Sequence, residues 1–468
     1  MGFHKAAQAI DFNFTYDKGT SLEQMLGFEM AGEIWSSYLT DDITVDIHVG
    51  VTDLLPDNVI GGALPGLTAY QDYGNFRNKV YQDRTSSDDN TAYNNLHNYQ
   101  YSDGYTRYRA YFEQGAWHNR NIAFTNANAK ALGITPSNDL DGYILMSDLS
   151  QYSSVDWNYD YSRQNSMGSN ELDFLSVAMH EIGHILGFVS GIDSTEVAEN
   201  QATYSQNIER LMHTTSLDMY RYTGWSTNNN GYIDLAYGVD SYFSIDGGNT
   251  SLAHFSEGAD LLLGFGGDGF QGSHWQKSST PIGIMDPDLA LGERTNISDL
   301  DLRAFDVIGY DCAYHNYSGS YSSCDAANLN FSSLEDQAKD TLIGKINDKK
   351  NYNYNASKID WYINNGYNYT AASWIDSNRN GDINQMIRDS DIYEWGWGGG
   401  DGDGCDPNEQ NCGNSQVIAA MLTNQGSGFN WSTLGDLTVA EVPEPGTNLG
   451  IIALGLLAGG SVLKRHRK

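Results

Sequence analysis

The 468-residue sequence predicts an α+β fold, in which helices pack on a mixed β-sheet. Residues 43–52 alternate apolar and polar side chains, which is typical of a strand with one buried face. Residues 22–39 carry apolar side chains at helical spacing, and residues 171–187 do the same around a pair of histidines. With 40% apolar residues, the chain is long enough for a large core and for about two or three domains.

The excess of acidic residues argues against one class of binding partner, the nucleic acids. The sequence has 26 Lys and Arg against 60 Asp and Glu, which gives a formal net charge of −34. Because a chain this acidic repels phosphate groups, we expect no nucleic-acid partner. Charged residues make up only 18% of the chain, which excludes a highly charged disordered protein.

Two segments complete the predicted N-terminal half. Residues 143–146 form a short apolar run, which predicts a second, buried strand. The polar stretch between the two strands is rich in Tyr, Asn and Asp. It predicts loops, with some helix near residues 105–132.

Two later helices have recognisable ends. Asn170 is the expected N-cap of the helix over 171–187, and Gly187 suits the left-handed conformation that ends a helix. A further helix is predicted over 299–308. Ser298 and the acidic residue three positions later have the spacing of a capping arrangement at its start.

The segment with the clearest chemistry reads His180-Glu181-Ile-Gly-His184. On a helix, residues four apart share a face, so both imidazoles can bind one metal ion. Zinc lowers the pKa of a bound water toward 7, and Glu181 could then act as a general base. A pair of surface histidines is the alternative, but the apolar residues around the motif indicate a buried helix.

A catalytic zinc ion usually has three protein ligands, so one further ligand is needed. Ser190 stands where the short form of the motif would have a His, and a serine hydroxyl is a poor zinc ligand. His213 lies in a predicted helix, where packing or surface exposure is the simpler role. His48 and His118, on a strand and a loop, are expected at the surface. The candidates for the third ligand are Asp193, His213, His254 and His274.

Several segments resemble, in order and in chemistry, the leishmanolysin branch of the metzincin zinc metalloproteases. They are His180 to Phe188, Gly272 to Trp275, Ile284 to Pro287, and the helix-like run from Ile297 to Tyr310. The resemblance implies that His274 is the third zinc ligand and that Met285 is the Met-turn residue beneath the metal. His254 and Asp193 remain the alternatives to His274.

The resemblance, together with the change of composition after Cys324, predicts a domain organisation. Residues 10–314 would form a metzincin-like zincin catalytic domain, with an insert over about 188–273 that brings the third ligand back to the first two. The strand 143–146 would lie beside the cleft and present its edge to an extended peptide. Residues 315–440, which are acidic and rich in Asn, Gly and Tyr, would form a smaller irregular C-terminal region.

The two ends of the chain indicate export. Within residues 441–468, Pro443-Glu-Pro445 precedes an apolar run over 449–463 and a basic cluster. As a helix the run spans about 22 Å, short of the ~30 Å hydrocarbon core. This order resembles the PEP-CTERM signal that exosortases recognise in Gram-negative bacteria, cyanobacteria among them. It predicts transient membrane insertion, processing by an exosortase-type enzyme, and a cell-surface or extracellular location. An ordinary membrane anchor is the alternative, and residues 1–9 are expected to be the remnant of a signal peptide.

The C-terminal region contains two further signals. Four residues resemble the first half of an EF-hand calcium loop: Asp376, Asn378, Asn380 and Asp382. Ile387 stands at the twelfth position, where an acidic ligand belongs, so an Asx-rich turn is the alternative. In an exported chain, two short-loop disulfides are expected, and the pairs are Cys312 with Cys324 and Cys405 with Cys412.

Together these features predict an exported zinc-dependent endopeptidase that acts on protein or peptide substrates. Two other classes remain open. One is a non-catalytic surface or matrix adhesion protein with the same fold, which the Tyr/Asn/Gly-rich region and the sorting signal also suit. The other is a zinc hydrolase of non-peptide substrates.

Overall fold

The computed structural model describes most of the chain up to residue 350. The described ranges are 9–16, 20–52, 55, 59–112, 115–136, 140–150, 152, 154–193, 214–229, 231–258, 267–316, 322–350 and 420–424. They do not include the C-terminal sorting signal, the calcium loop, the second cysteine pair, the predicted helix around His213 or most of residues 1–9.

Helices of the described residues begin at capping residues that can be identified in the sequence. Ser21 caps the first helix in a capping box with Gln24, and Ser298 caps the seventh with Asp301. The helices are α1 (Leu22–Tyr38), α2 (Tyr73–Asp83), α3 (Ser87–Asn95), α4 (Asn126–Ala131), α5 (Phe174–Leu186), α6 (Gly224–Asn228), α7 (Asp299–Gly309) and α8 (Phe331–Lys350).

The strands are mostly short outside the central sheet. They are β1 (Asp11–Tyr16), β2 (Thr44–Thr52), β3 (Val59–Pro65), β4 (Leu67–Asp72), β5 (Tyr99–Gln100), β6 (Thr106–Phe112), β7 (Gly115–Asn119), β8 (Asn121–Thr125), β9 (Gly142–Ser147), β10 (Asp156–Asn158), β11 (Glu171–Asp173), β12 (Arg221–Tyr222), β13 (Ile233–Asp234), β14 (Tyr242–Phe243), β15 (Ala253–His254), β16 (Asp288–Leu289), β17 (His315–Asn316), β18 (Ser323–Cys324) and β19 (Ala420–Asn424). The predicted mixture of helices and a mixed sheet is confirmed, as are α1, β2, β9 and α7.

The largest sheet has the strand order β1-β2-β9-β3-β19-β16. The first three strands run parallel, with Phe14 opposite Ile47 and Val49 opposite Ile144. β3 is antiparallel to β9, with Ala63 opposite Ile144. β19 is antiparallel to β3 and parallel to β16. The sheet is therefore mixed, and among its described strands β3 alone runs in the opposite direction to the others.

α1 and α5 pack together against this sheet. Gly142 of β9 lies so close to Ile185 of α5 that a Cβ atom at residue 142 would overlap the Ile185 side chain. The Trp35 indole of α1 donates a hydrogen bond to the Met179 carbonyl of α5 at 3.0 Å. Because Trp35 and Met179 are buried, this bond fixes α5 relative to α1 from inside the core.

The start of α5 differs from the prediction. Asp173, rather than Asn170, is its N-cap, and the helix begins at Phe174. The preceding residues Glu171–Asp173 are extended because they pair in parallel with Asp156–Asn158. The strand Asp156–Asn158 lies outside the few residues that a capping signal involves, so the signal at Asn170 could not indicate this pairing.

Residues 105–132 contain strands, which corrects the prediction of loops with some helix. Among the described residues of this range, β6, β7 and β8 are strands, and α4 is the expected helix. In β6, Tyr108 and Ala110 are buried whereas Arg107 and Arg109 are partly exposed. This is the period-two pattern of a half-buried strand, which the polar composition of the whole stretch obscured.

Two histidines also differ from their predicted surface positions. His48 is fully buried, and its Nδ1 atom lies 2.8 Å from the Thr15 hydroxyl of the neighbouring strand β1. His118 lies on β7 rather than on a loop, and it is partly buried. The hydroxyl partner explains how an imidazole is accommodated inside the sheet.

The position of the predicted edge strand is corrected as well. β9, which contains residues 143–146, lies between β2 and β3 and has no free edge. The strand next to β9 on the side toward β16 is β3. Its sequence, VIGGALP, contains two glycines and a proline, which weaken the signal for a strand.

Residues beyond 314 continue the same packed core. The Lys345 ammonium of α8 contacts both carboxylate oxygens of Glu29 in α1, at 2.8 and 2.9 Å. Cys312 and Cys324 form the predicted disulfide. The domain division at residue 314 stays a prediction, because most of residues 315–440 lie outside the described ranges.

Candidate metal centre

The chemistry of the site is carried by α5, whose two ends are fixed by specific residues. The Asp173 carboxylate accepts a hydrogen bond from the Ser176 N–H at 3.1 Å and pairs with the Arg163 guanidinium at 2.6 Å. At the other end, Gly187 adopts φ 125°. A side chain there would be strained, so glycine is required where the chain leaves the helix.

Three imidazoles converge at one point. The Nε2 atoms of His180 and His184 lie 2.9 Å apart, and each lies 3.2 Å from the Nε2 atom of His274. His180 and His184 belong to α5, whereas His274 is 90 positions further along the chain than His184. The structure therefore brings together the three residues that the motif and the resemblance predicted.

The other ring nitrogen of each imidazole is held by a backbone carbonyl. His180 Nδ1 donates to the Ile284 carbonyl at 2.6 Å, and His184 Nδ1 donates to the Phe188 carbonyl at 2.7 Å. His274 Nδ1 donates to the Gln271 carbonyl at 3.1 Å. These bonds place the proton on Nδ1 and leave the Nε2 lone pairs facing one another.

The electrostatic setting keeps the three rings neutral. Burial is the largest cause that lowers the pKa of each, and for His274 it lowers the pKa to about 4. The neighbouring imidazoles lower the pKa of His180 and His184 further. Neutral imidazole is the form that binds a metal ion.

This donor set fits zinc. For a tetrahedral ion with Zn–N bonds of about 2.0 Å, two ligand nitrogens lie about 3.3 Å apart. The observed spacings of 2.9 and 3.2 Å are close to that value. Three facing lone pairs repel one another unless a cation lies between them, so the chemistry of the cluster also favours a metal ion.

The two alternative third ligands lie elsewhere. The His254 side chain is 43% exposed and contacts Asp240 at 2.5 Å. The Asp193 carboxylate accepts hydrogen bonds from the Gly272 N–H at 2.6 Å and from the backbone and side chain of Ser273. Asp193 therefore holds Gly272 and Ser273, the two residues before His274, by hydrogen bonds. Burial raises its pKa to about 6, against the opposing effect of those hydrogen bonds. His213 lies outside the described residues.

Two buried charged residues, Arg221 and Asp218, hold parts of the segment between His184 and His274 in place. Arg221 is fully buried, and its guanidinium donates to the Gly272 carbonyl at 2.5 Å. The Asp218 carboxylate accepts from the Ser190 hydroxyl at 2.5 Å and from the Gly191 N–H at 2.8 Å. These contacts fold the described parts of the predicted insert back toward α5.

Glu181 is fully buried and lies beside the sheet. A Cβ atom added at Gly61 of β3 would come within 2.6 Å of the Glu181 Oε1 atom and 2.7 Å of the Val177 side chain. Glycine at 61 therefore leaves the room that the Glu181 carboxylate occupies. The Glu181 carboxylate and the β3 backbone at Gly61 are therefore neighbours, and Glu181 follows His180 directly in α5.

Met285 packs against α5. Its sulfur atom packs so closely on Gly183 that a Cβ atom there would overlap it, and Trp35 borders the same position at 3.4 Å. The Met285 carbonyl also accepts from the Trp275 N–H at 3.0 Å, next to His274. Met285 therefore packs against α5, and its backbone is hydrogen-bonded to Trp275, the residue after His274.

Asp301 has a role that the sequence did not indicate. The sequence predicted only that it takes part in capping α7. Its Oδ1 atom accepts from the Trp275 indole at 2.8 Å and from the Met285 N–H at 3.3 Å. Its Oδ2 atom accepts from the Ile284 N–H at 2.8 Å and from both the backbone and hydroxyl of Ser298. One buried carboxylate therefore joins the His274 segment, the Met285 turn and α7. The capping spacing was the only local signal of this residue.

Several predicted sites fall outside the described residues. They are the calcium loop residues Asp376, Asn378, Asn380 and Asp382, the pair Cys405 and Cys412, and the apolar run over 449–463. Calcium binding stays a prediction. Among the helices of the described residues, none has the length and hydrophobicity needed to cross a bilayer.

Comparison with known proteins gives one match. Residues 441–468 match the model of the PEP-CTERM protein-sorting motif, as the sequence predicted. The motif indicates export and sorting to the cell surface or the extracellular space in a Gram-negative bacterium, with recognition by an exosortase. Neither a curated protein nor a solved structure matches the chain.

Proposed function

We propose that this chain is an exported zinc-dependent endopeptidase of the metzincin type, with a catalytic domain similar to that of the leishmanolysin branch. The observation that carries the proposal is the convergence of three buried Nε2 atoms at 2.9 to 3.2 Å, with Glu181 on the same helix. The Met285 turn and the later helix α7 support the metzincin assignment, because they occur in the order that the resemblance implies.

His180, His184 and His274 would hold the metal ion. When bound, zinc supplies Lewis acidity, which polarises a carbonyl group and makes water a stronger acid. Glu181 follows His180 directly, so its carboxylate can accept a proton from the attacking water and later donate it to the leaving amine. The carbonyl partners of the three Nδ1 atoms keep the imidazoles in the orientation that this geometry needs.

The substrate class follows from the neighbouring strand. β3 borders Glu181 at Gly61, and it pairs with a further chain segment on the side away from β9. An extended polypeptide is the molecule that pairs with a strand in this way. This arrangement supports peptide bonds, rather than other bonds, as the target of hydrolysis.

The test is a Glu181→Gln variant of the full chain. We expect it to bind zinc as the wild type does but to hydrolyse a casein or peptide-library substrate about 10²- to 10⁴-fold more slowly, the usual effect of losing a general base. Glu335→Gln, a change of the same kind on α8, should retain full activity. Full activity in Glu181→Gln would refute the mechanism. A wild-type chain that binds no stoichiometric zinc would favour the adhesion protein instead.

A further inference from the structure

The strand β19 lies across the region that Glu181 borders. It pairs on one side with β3, where Leu422 is opposite Gly61, and on the other side with β16, where Thr423 is opposite Asp288. Gly61 is the residue whose position adjoins the Glu181 carboxylate, and Asp288 follows Met285 by three positions. β19 therefore bridges two chain segments that belong to the candidate metal centre.

The active-site helix borders the same strand. Cα atoms of β19 approach those of α5 to within 8 Å, as those of β3 do. β19 belongs to the C-terminal region of the chain, far from the catalytic domain in sequence, and it ends at Asn424 before the sorting motif begins at residue 441. A segment of the chain's own C-terminal region thus occupies a groove with strand partners on both sides.

Backbone pairing of this kind tolerates many sequences. An extended peptide that adds to a strand gains affinity from main-chain hydrogen bonds, whatever its side chains. A second peptide cannot pair with β3 at Gly61 while Leu422 occupies that register position. Any peptide that reaches Glu181 along β3 must therefore displace β19.

We propose that residues 420–424 are a tethered occupant of this groove and that they restrain the hydrolysis of other peptides. The inference rests on the proposed function and deepens it by naming how the same site is regulated. Because the sorting motif lies after the strand, its removal leaves the occupant attached. The restraint is lifted when the segment leaves the groove.

The expected effect is competitive. A segment of the same chain acts at a high effective concentration, so it can keep the groove occupied without high intrinsic affinity. If about one molecule in ten has an open groove, the apparent affinity for an added peptide is about tenfold lower than the intrinsic one. KM is raised by that factor and kcat is unchanged.

The test uses the zinc-loaded full chain with the double substitution Met421→Pro and Leu422→Pro. Adjacent strand residues send their N–H groups to opposite sides, so one of the two prolines removes a donor on the side of β3, with which residues 420–423 pair. The control is Thr433→Pro with Leu434→Pro, which makes the same change outside β19. We expect KM for a fluorogenic peptide to fall about tenfold in the first variant, with kcat and zinc content unchanged, and not to fall in the control.

A binding measurement separates this inference from the proposed function. A fluorescein-labelled peptide of residues 416–428 is titrated into zinc-loaded Glu181→Gln chains, with and without the two prolines in β19, and anisotropy is recorded. We expect about tenfold tighter binding to the chain with the prolines. Equal binding would overturn the inference. If binding differs as expected but no chain with Glu181 hydrolyses any peptide, the proposed function fails and the occupied groove stands.

Discussion

Replacing Asp301 with Asn tests how the third imidazole is held in place. The carboxylate is fully buried, and its two oxygens accept five hydrogen bonds from Trp275, Ile284, Met285 and Ser298. An amide has only one acceptor oxygen. Its NH₂ group would therefore face donors that the second carboxylate oxygen now satisfies.

The cost follows from the number of donors left without an acceptor. If the amide nitrogen takes the Oδ1 position, the Trp275 indole and the Met285 N–H lose their partner. A buried donor without an acceptor costs roughly 1–3 kcal/mol, so the variant should lose about 2–6 kcal/mol of folding free energy. Because Trp275 follows His274 and Met285 packs on α5, zinc affinity should fall about 10- to 100-fold, as for other residues that orient metal ligands.

The assay combines urea unfolding, followed by tryptophan fluorescence, with chelator competition for zinc. Asp299→Asn is the matched control, because Asp299 is an exposed carboxylate in the same first turn of α7. Its Oδ1 atom accepts from the Ala326 N–H at 2.6 Å, which an amide oxygen can also do. The control should lose only about 0.3–1 kcal/mol, the usual contribution of a charge at a helix N-terminus. Equal losses in the two variants would refute the assigned role of Asp301.

Three further changes have defined outcomes. Gly183→Ala should destabilise the fold by about 1–3 kcal/mol and weaken zinc binding, because the new methyl group overlaps the Met285 sulfur; unchanged thermal unfolding and zinc affinity would contradict the packing. Gly61→Ala should lower kcat with little effect on zinc content, because its methyl group displaces the Glu181 carboxylate, and wild-type kcat would argue against that contact. Burial, and then the nearby Asp89 carboxylate, raise the pKa of Asp306 well above its usual range. The folded chain therefore holds that proton more tightly than the unfolded chain, and stability is lost as the pH rises above about 3.9. Asp306→Asn removes this loss, so its melting temperature relative to wild type should increase between pH 4.5 and pH 8; a constant difference would refute the sign.

The sequence predicted the local part of the site well. His180 and His184 are one helical turn apart, so their shared face depends only on the helix itself. The end of α5 at Gly187 and the capping box of α7 are likewise properties of adjacent residues. Predictions of this kind require no knowledge of what packs against the element.

The parts that the sequence did not predict depend on contacts between distant segments. Asp173, rather than Asn170, begins α5 because the preceding residues join a strand from another part of the chain. His48 is buried because Thr15, on a neighbouring strand, provides a partner.

Two features nearest the candidate metal centre are also long-range. β3 has a weak strand signal, and it is defined by its pairing with β9. Asp301 accepts hydrogen bonds from residues up to 26 positions away in the sequence. A local pattern identifies which residues can do the chemistry, whereas the pairing of remote segments determines how they are held.

Zinc stoichiometry of purified full-length chains, determined by mass spectrometry of the metal after dialysis, tests the central claim most directly. The account predicts one zinc ion per chain in the wild type and in His254→Ala, whose 43% exposed imidazole contacts Asp240, Ser251 and the Tyr242 ring. It predicts loss of that zinc in His274→Ala. One zinc ion retained by His274→Ala with unchanged affinity, or none bound by the wild type, would contradict a metal centre formed by His180, His184 and His274.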